Sequence, residues 1–184
     1  MDIKNQYNYI IKSICYFILG ISSIEIIIYS ILGLNIDFIR VIEIAISIST
    51  VLFFLYEKWL WRYDPFNNTP VLVNNYNGVI RYNHSKGVGE KTINVRIQQS
   101  LLCIAVNIIT DEISSSATSA SIVTECSEKI LYYTYITNPK TDVVNRNPIN
   151  RGCVRLVIKN KNSLKGQYWT ASGTYGDIEL FIKL

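Results

Sequence analysis

The stretch Tyr9–Leu34, YIIKSICYFILGISSIEIIIYSILGL, and the stretch Ile36–Tyr56, IDFIRVIEIAISISTVLFFLY, decide the fold between them. From Ser13 to Leu34 the only charge is Glu25. A run of that length exceeds the roughly 20 residues a helix needs to cross a bilayer. The second run confines its charges, Asp37, Arg40 and Glu43, to about its first third, the eight residues from Ile36 to Glu43. A soluble helix needs a polar face, and these have almost none. Asn35 and its neighbours alone separate the runs, so the two helices are expected to return antiparallel as a transmembrane hairpin.

The flanking charges orient that hairpin. Lys4 and Lys12 precede the first helix, Lys58 and Arg62 follow the second, and the turn offers only Asp37 and Arg40. The positive-inside rule then places both termini in the cytoplasm. Glu57-Lys58-Trp59-Leu60-Trp61-Arg62-Tyr63 reads as an exit anchor, with indoles at headgroup level between cations. A cleaved signal peptide fits poorly, because the apolar run is too long and no small-x-small site follows it.

Past residue 63 the composition changes. Asp64-Pro65-Phe66-Asn67-Asn68-Thr69-Pro70 is a helix-breaking linker. The division expected is therefore 1–63 hairpin, 64–70 linker and 71–184 cytoplasmic domain, the last of ordinary size. The net charge of +4 falls wholly on the part after Tyr63. That suits an anionic ligand or lipid headgroups but is too weak to argue for DNA or RNA. Cys15, Cys103, Cys126 and Cys153 are widely spaced, as free thiols of a reducing compartment are.

The pattern of the last domain has period two. It predicts strands at Gly78–Asn83, Lys91–Gln98, Leu101–Thr110, Ser119–Glu125, Lys129–Thr137, Cys153–Asn160, Ser163–Thr170 and Gly176–Leu184. Turns are expected at His84-Ser85-Lys86-Gly87, Ser114-Ser115-Ser116, Asn160-Lys161-Asn162 and Ser172-Gly173-Thr174, and Gly87-Val88-Gly89 also reads as a turn. Eight short strands joined mostly by tight turns predict an antiparallel up-and-down β-barrel, with a two-sheet sandwich as the rival. The fold class is thus α+β, a membrane hairpin followed by a barrel. The one long connection, Asn138 to Asn150, is the candidate loop over a barrel mouth.

Alternation assigns the faces. Ile178, Leu180 and Ile182 oppose Asp177, Glu179 and Lys183, and Val154, Leu156 and Ile158 oppose Arg155 and Lys159. Leu164, Gly166, Tyr168 and Thr170 share an inward face, which turns Trp169 outward. In Lys129–Tyr135 both faces carry aromatics, so neither is chosen.

Catalysis is poorly supplied. His84 is the only histidine and falls in an expected turn, so a Ser-His-Asp arrangement has no rigid support. No His, Cys or carboxylate cluster has zinc spacing, and no dinucleotide fingerprint is present. Asp111 and Glu112 end a strand and read as solvated. A binder is expected, with no catalytic residue, no metal and no cofactor. Arg81, Arg96, Arg146, Arg151 and Arg155 are candidate phosphate clamps, and Tyr133, Tyr135, Tyr168, Trp169 and Tyr175 candidate stacking groups. Composition alone leaves a nucleotide, a fatty acid and no ligand all open.

Two helices followed by a small barrel resemble the layout of the two-transmembrane, β-strand-rich (S-2TMβ) effectors of CBASS anti-phage systems. Leu164–Leu180, LKGQYWTASGTYGDIEL, is similar to the stretch that closes that family's barrel, through Gly166-x-Tyr168-Trp169-Thr170 and then Thr174-x-Gly176. Asn75-Tyr76-Asn77-Gly78 resembles its opening strand, with Tyr76 where Trp is more usual; Ser172 stands where a basic residue is common. The resemblance implies a receptor for a cyclic dinucleotide made by a partner CD-NTase nucleotidyltransferase during infection. Binding would drive homo-oligomerisation and disruption of the bacterial inner membrane, ending in cell death. The ligand-binding set expected on this basis is Tyr133, Arg151, Arg155, Tyr168, Trp169, Thr170 and Tyr175. Arg151 stands at the end of the long loop, and Tyr168 points inward.

The helices carry polar stripes of their own. Cys15, Ser22, Glu25, Tyr29 and Gly33 share one arc, and Arg40, Glu43, Ser47 and Thr50 another. At about 1.5 Å per residue from Asn35, Glu25 lies about 15 Å deep and Glu43 about 12 Å. Stripes at such depth are expected between helices or facing water, so Glu25, Arg40 and Glu43 are assigned to membrane assembly; a Glu25–Arg40 pair inside one hairpin is the plainer reading. Two other classes of function stay open: a lipocalin-like lipid-binding barrel, which needs an apolar cavity, and a structural anchor or scaffold, which needs none.

Overall fold

The computed structural model describes residues 3–33, 35, 37–84 and 87–182, with side chains described from residue 11 onward except at His84. Leu34, Ile36, Ser85, Lys86, Lys183 and Leu184, which figure in the expectations above, lie outside the described residues, as does the side chain of Lys4. The chain divides into two compact units between Asn67 and Asn68.

The first unit is a helical hairpin, α1 (Ile3–Ile31) and α2 (Phe38–Lys58). Gly33, at φ +64°, lies just past the end of α1, a conformation in which glycine meets no Cβ penalty. Asp37 caps α2, its Oδ1 accepting from the Ile39 amide at 3.1 Å. Val41, Ala45 and Ser49, four residues apart, are the buried face of α2. The ring of Phe17 meets Tyr56 edge-on at 6.4 Å. Ile24, Ile27, Ile28, Ile39, Ile42 and Ile46 all stay exposed. Both helices are long and apolar enough to cross a membrane, with large apolar side chains pointing outward. A 3-10 turn, Leu60–Tyr63, buries Trp61, and Asp64 then accepts from the Tyr56 hydroxyl and the Phe66 amide to end the unit.

The second unit is a closed antiparallel barrel: β1 (Asn75–His84), β2 (Gly87–Gln99), β3 (Ile104–Ile109), β4 (Ile113–Glu125), β5 (Glu128–Pro139), β6 (Arg151–Asn160), β7 (Ser163–Thr170) and β8 (Tyr175–Ile182). Each strand pairs with the next, and β8 closes on β1 with Tyr76 opposite Ile182 and Tyr82 opposite Gly176. The barrel, not the sandwich, is the architecture. In β2 residues 93, 95, 97 and 99 are buried and those between them exposed. Such alternation fills the interior with Ile93, Val95, Ile97, Leu131, Val154, Leu156, Leu164, Ile178 and Leu180. Cys126 and Ser127 join β4 to β5 with φ of 46° and 70°, as the centre of a type I′ hairpin turn requires. A Cβ on Gly166 would lie 1.8 Å from the Arg155 carbonyl oxygen, and one on Gly176 1.9 Å from that of Arg81. These two of the closing stretch's three glycines are there because backbones touch.

Three local expectations are corrected. Residues 114–116 belong to β4, where they pair with 107–109 of β3 and 136–138 of β5; strand pairing overrides the turn preference of serine. Gly87, Val88 and Gly89 open β2, opposite His84, Asn83 and Tyr82, so His84 also ends a strand. Leu101 precedes β3 and is buried in the turn.

One end of the barrel is shut. Gln99 accepts from the Leu72 amide at 2.9 Å and donates to the Pro70 carbonyl at 3.0 Å. The Tyr76 hydroxyl accepts from the Val73 amide at 2.9 Å and donates to the Lys161 carbonyl at 2.8 Å. The other end opens into a cavity.

Candidate functional site

The cavity, about 780 Å³, is bordered by the ends of β1, β3, β5 and β7 and by residues 146–150 of the long loop. Its size falls inside the range of about 300–1,000 Å³ typical of small-molecule sites. Ile93, Ile108, Val154 and Ile178 supply its apolar surface, and Tyr82, Tyr135, Tyr168, Thr137 and Thr170 its hydroxyls. The inward parity of each strand puts them there. Tyr135 sits opposite Gly152, whose Cβ would strike its ring, so the absent side chain makes room for the phenol.

Burial raises the phenols. Tyr168 is pushed up to about 12, chiefly by desolvation and then by the neighbouring Tyr82. Tyr135 is raised further by burial, then by Tyr168 and Cys153. These hydroxyls are neutral donors at any physiological pH. Tyr133 stands on the same face of β5, its ring centroid 6.2 Å from that of Tyr135. Its hydroxyl is buried with no hydrogen-bond partner among the described residues, and burial raises its pKa too.

Charge enters at the rim. Glu112, between β3 and β4, accepts from Lys91 on one carboxylate oxygen and from Arg146 on the other, the latter at 2.9 Å. The hydrogen bond and charge of Lys91, and then Arg146, hold the Glu112 carboxyl below its usual range. Asn150 pins the far end of the loop, its Nδ2 donating to Ser172 Oγ at 2.6 Å.

The expected ligand set divides between faces of the wall. Tyr168 and Thr170 line the cavity, while Tyr133 lies inside the barrel but off the lining. Arg151 and Trp169 border a second groove of about 590 Å³ with Thr118, Thr134, Ile136 and Cys153, and Tyr135 and Thr170 line both it and the cavity. Tyr175 is exposed beside Trp169, its hydroxyl accepting from Asn83 Nδ2 at 3.1 Å. Arg155 is also outside, bonded through Nε to the Tyr132 hydroxyl at 3.0 Å and facing Glu125 at 3.4 Å. Of the other candidate clamps, Arg81 pairs with Glu90 and Glu179 on the outer wall, Arg96 is exposed, and Arg146 alone reaches the mouth. Lys91, Glu112 and Tyr82 had not been singled out for binding. The signal for Lys91 was its parity with Ile93, Val95 and Ile97, which aims it inward.

The polar residues of the hairpin also separate. Glu25 is half-buried, with Oε2 enclosed and unpartnered among the described residues. Arg40, Glu43, Ser47 and Thr50 are exposed, on the face of α2 opposite Val41, Ala45 and Ser49. No ion pair joins Glu25 to Arg40 among the described residues, so the hairpin does not neutralise itself that way.

Residues 67–181 match the family described as Cap15, cyclic dinucleotide receptor domain. The chain is also similar to CD-NTase-associated protein 15 of Staphylococcus schleiferi, with 36% identity over 180 residues, 96% of this chain and 97% of that one.

Proposed function

This chain belongs to the Cap15 family of cyclic dinucleotide receptors, and from that premise we propose that its barrel cavity binds the dinucleotide while its hairpin acts on the membrane. The observation that carries the reading is the cavity itself: apolar walls for bases, neutral phenols as donors, and Lys91 and Arg146 at the rim for phosphate. Tyr82, Tyr135 and Tyr168 stack on or hydrogen-bond to the ligand, and Thr170 supports them. The protein is a receptor and not a catalyst. A CD-NTase nucleotidyltransferase makes the ligand, occupied barrels gather into a homo-oligomer, and the hairpins breach the inner membrane, with both termini and the barrel cytoplasmic. Arg40 and Glu43, exposed on α2, are the residues that meet neighbouring helices.

The lipid-binding alternative asks for a dry apolar cavity, and the scaffold alternative for a filled interior. A cavity with hydroxyls on its wall and three charges at its rim suits neither. The test is calorimetric titration of the full chain in detergent micelles with a panel of cyclic dinucleotides and a long-chain fatty acid. Micromolar or tighter binding of one dinucleotide, weakened about tenfold or more by Tyr168→Ala, is the expected result. Uptake of the fatty acid with no heat from any dinucleotide would overturn the reading.

A further inference from the structure

Lys91, Glu112 and Arg146 are the charged side chains of the cavity among its described lining residues. They form one unit. Lys91 Nζ donates to Glu112 Oε2, and Arg146 Nη2 reaches Oε1 at 2.9 Å. The backbone of Glu112 takes part as well, its carbonyl accepting from the Lys140 amide at 3.0 Å, where the long loop begins. Val143, buried in that loop, accepts from the amides of Arg146 at 3.1 Å and Asn147 at 2.9 Å, while its own amide donates to the Lys140 carbonyl at 3.0 Å. A single helical turn around Val143 therefore brings Arg146 back over the residue that anchors the loop.

Two cations flanking the two oxygens of one anion is also the arrangement that receives a phosphodiester, with its two non-bridging oxygens. We infer that the Glu112 carboxylate is a built-in substitute for the ligand's phosphate. It holds Lys91 and Arg146 in place while the cavity is empty, and it gives up at least one of them when a phosphodiester enters. This rests on the cyclic dinucleotide reading of the cavity. The described lining residues carry a formal +1 with Glu112 present and would carry +2 without it, against two negative charges on a cyclic dinucleotide. Glu112 thus sets a threshold: an anion must out-compete a carboxylate already seated, which singly charged or weakly held anions fail to do. Release of Arg146 also frees the one side chain that, among the described residues, ties the loop's turn to the rim by charge.

Replacing Glu112 by glutamine keeps the shape and removes the competing charge. The full chain in detergent micelles is titrated with the cyclic dinucleotide panel as wild type, Glu112→Gln and Arg146→Gln, and inorganic phosphate is titrated alongside. The expected result is binding by Glu112→Gln about tenfold or more tighter than wild type, with phosphate now detectable. Arg146→Gln, at a side chain largely exposed and so tolerant of change, is expected to weaken dinucleotide binding about tenfold. Wild-type binding together with an unchanged or weaker Glu112→Gln protein would show a mere brace and overturn the inference. Should Glu112→Gln fail to fold, an unaltered affinity in Arg146→Gln would overturn it equally. If the wild type binds no cyclic dinucleotide, the reading of the cavity fails first and this inference goes with it.

Discussion

Tyr133 offers a test in which stability and binding move in opposite directions. Its hydroxyl is enclosed in the barrel with no hydrogen-bond partner among the described residues, while the ring is 3% exposed and packed in the core. A buried donor left unmade costs about 1–3 kcal/mol, and removing it without changing the ring's shape recovers part of that. Tyr133→Phe should therefore stabilise the barrel by about 1 kcal/mol. For a domain of about 60–100 residues that corresponds to a rise in Tm of about 4–8 °C, and this barrel is slightly larger. The assay is thermal unfolding of the full chain in micelles followed by near-ultraviolet circular dichroism, where the barrel's aromatics report. If the hydroxyl serves the ligand, the same substitution should weaken dinucleotide binding about three- to tenfold while the empty protein grows more stable. A fall in Tm would refute the reasoning, because it would mean that the phenol is satisfied in the empty barrel.

Other expectations follow from separate parts of the fold. Gly166→Ala should abolish a folded barrel or cost more than about 4 kcal/mol, read as loss of the cooperative transition, since its Cβ would lie 1.8 Å from a carbonyl oxygen. The Glu112 carboxyl is held below its ordinary range by Lys91 and then Arg146. A depressed folded pKa contributes stability that is complete above the unfolded value, about 4.3, and lost as pH falls through the folded one. The protection factor of the Arg146 amide, its exchange rate divided out by the intrinsic pH dependence, should thus hold from neutrality down through pH 5 and fall only in stronger acid; a fall near neutrality would contradict the pairing. Glu43→Leu protein should insert and bind ligand yet release little dye from anionic vesicles, whereas wild-type release would leave the exposed face of α2 without a part in membrane damage.

Where the sequence was legible, each strand had one polar and one apolar face. Val154, Leu156 and Ile158 against Arg155 and Lys159 is such a case, and the same parity already turned Arg155 to the outer wall. Lys129–Tyr135 could not be read alone, because aromatics occupy both faces. Its partners settle it, with Tyr133 opposite Val154 and Tyr135 opposite Gly152, where a ring has space. The serines of β4 have turn chemistry and were hidden by it. Glu112 was illegible for a different reason: its two cations come from 21 residues before it and 34 after it. Only closure of the barrel and the path of the long loop bring them together.

Tyr76, standing where the resemblance leads one to expect tryptophan, puts its hydroxyl to use. Its oxygen accepts from one strand-entry amide and donates to the turn between β6 and β7, whereas an indole in its place would only donate. With Gln99 beside it, this hydroxyl seals the end of the barrel where the chain enters, and the cavity opens at the other. Residues 70–74 therefore take no part in the lining of the cavity. On the proposed reading, occupancy of the mouth would have to be felt along the strands, or by a second barrel, before it reached the stretch by which the chain enters.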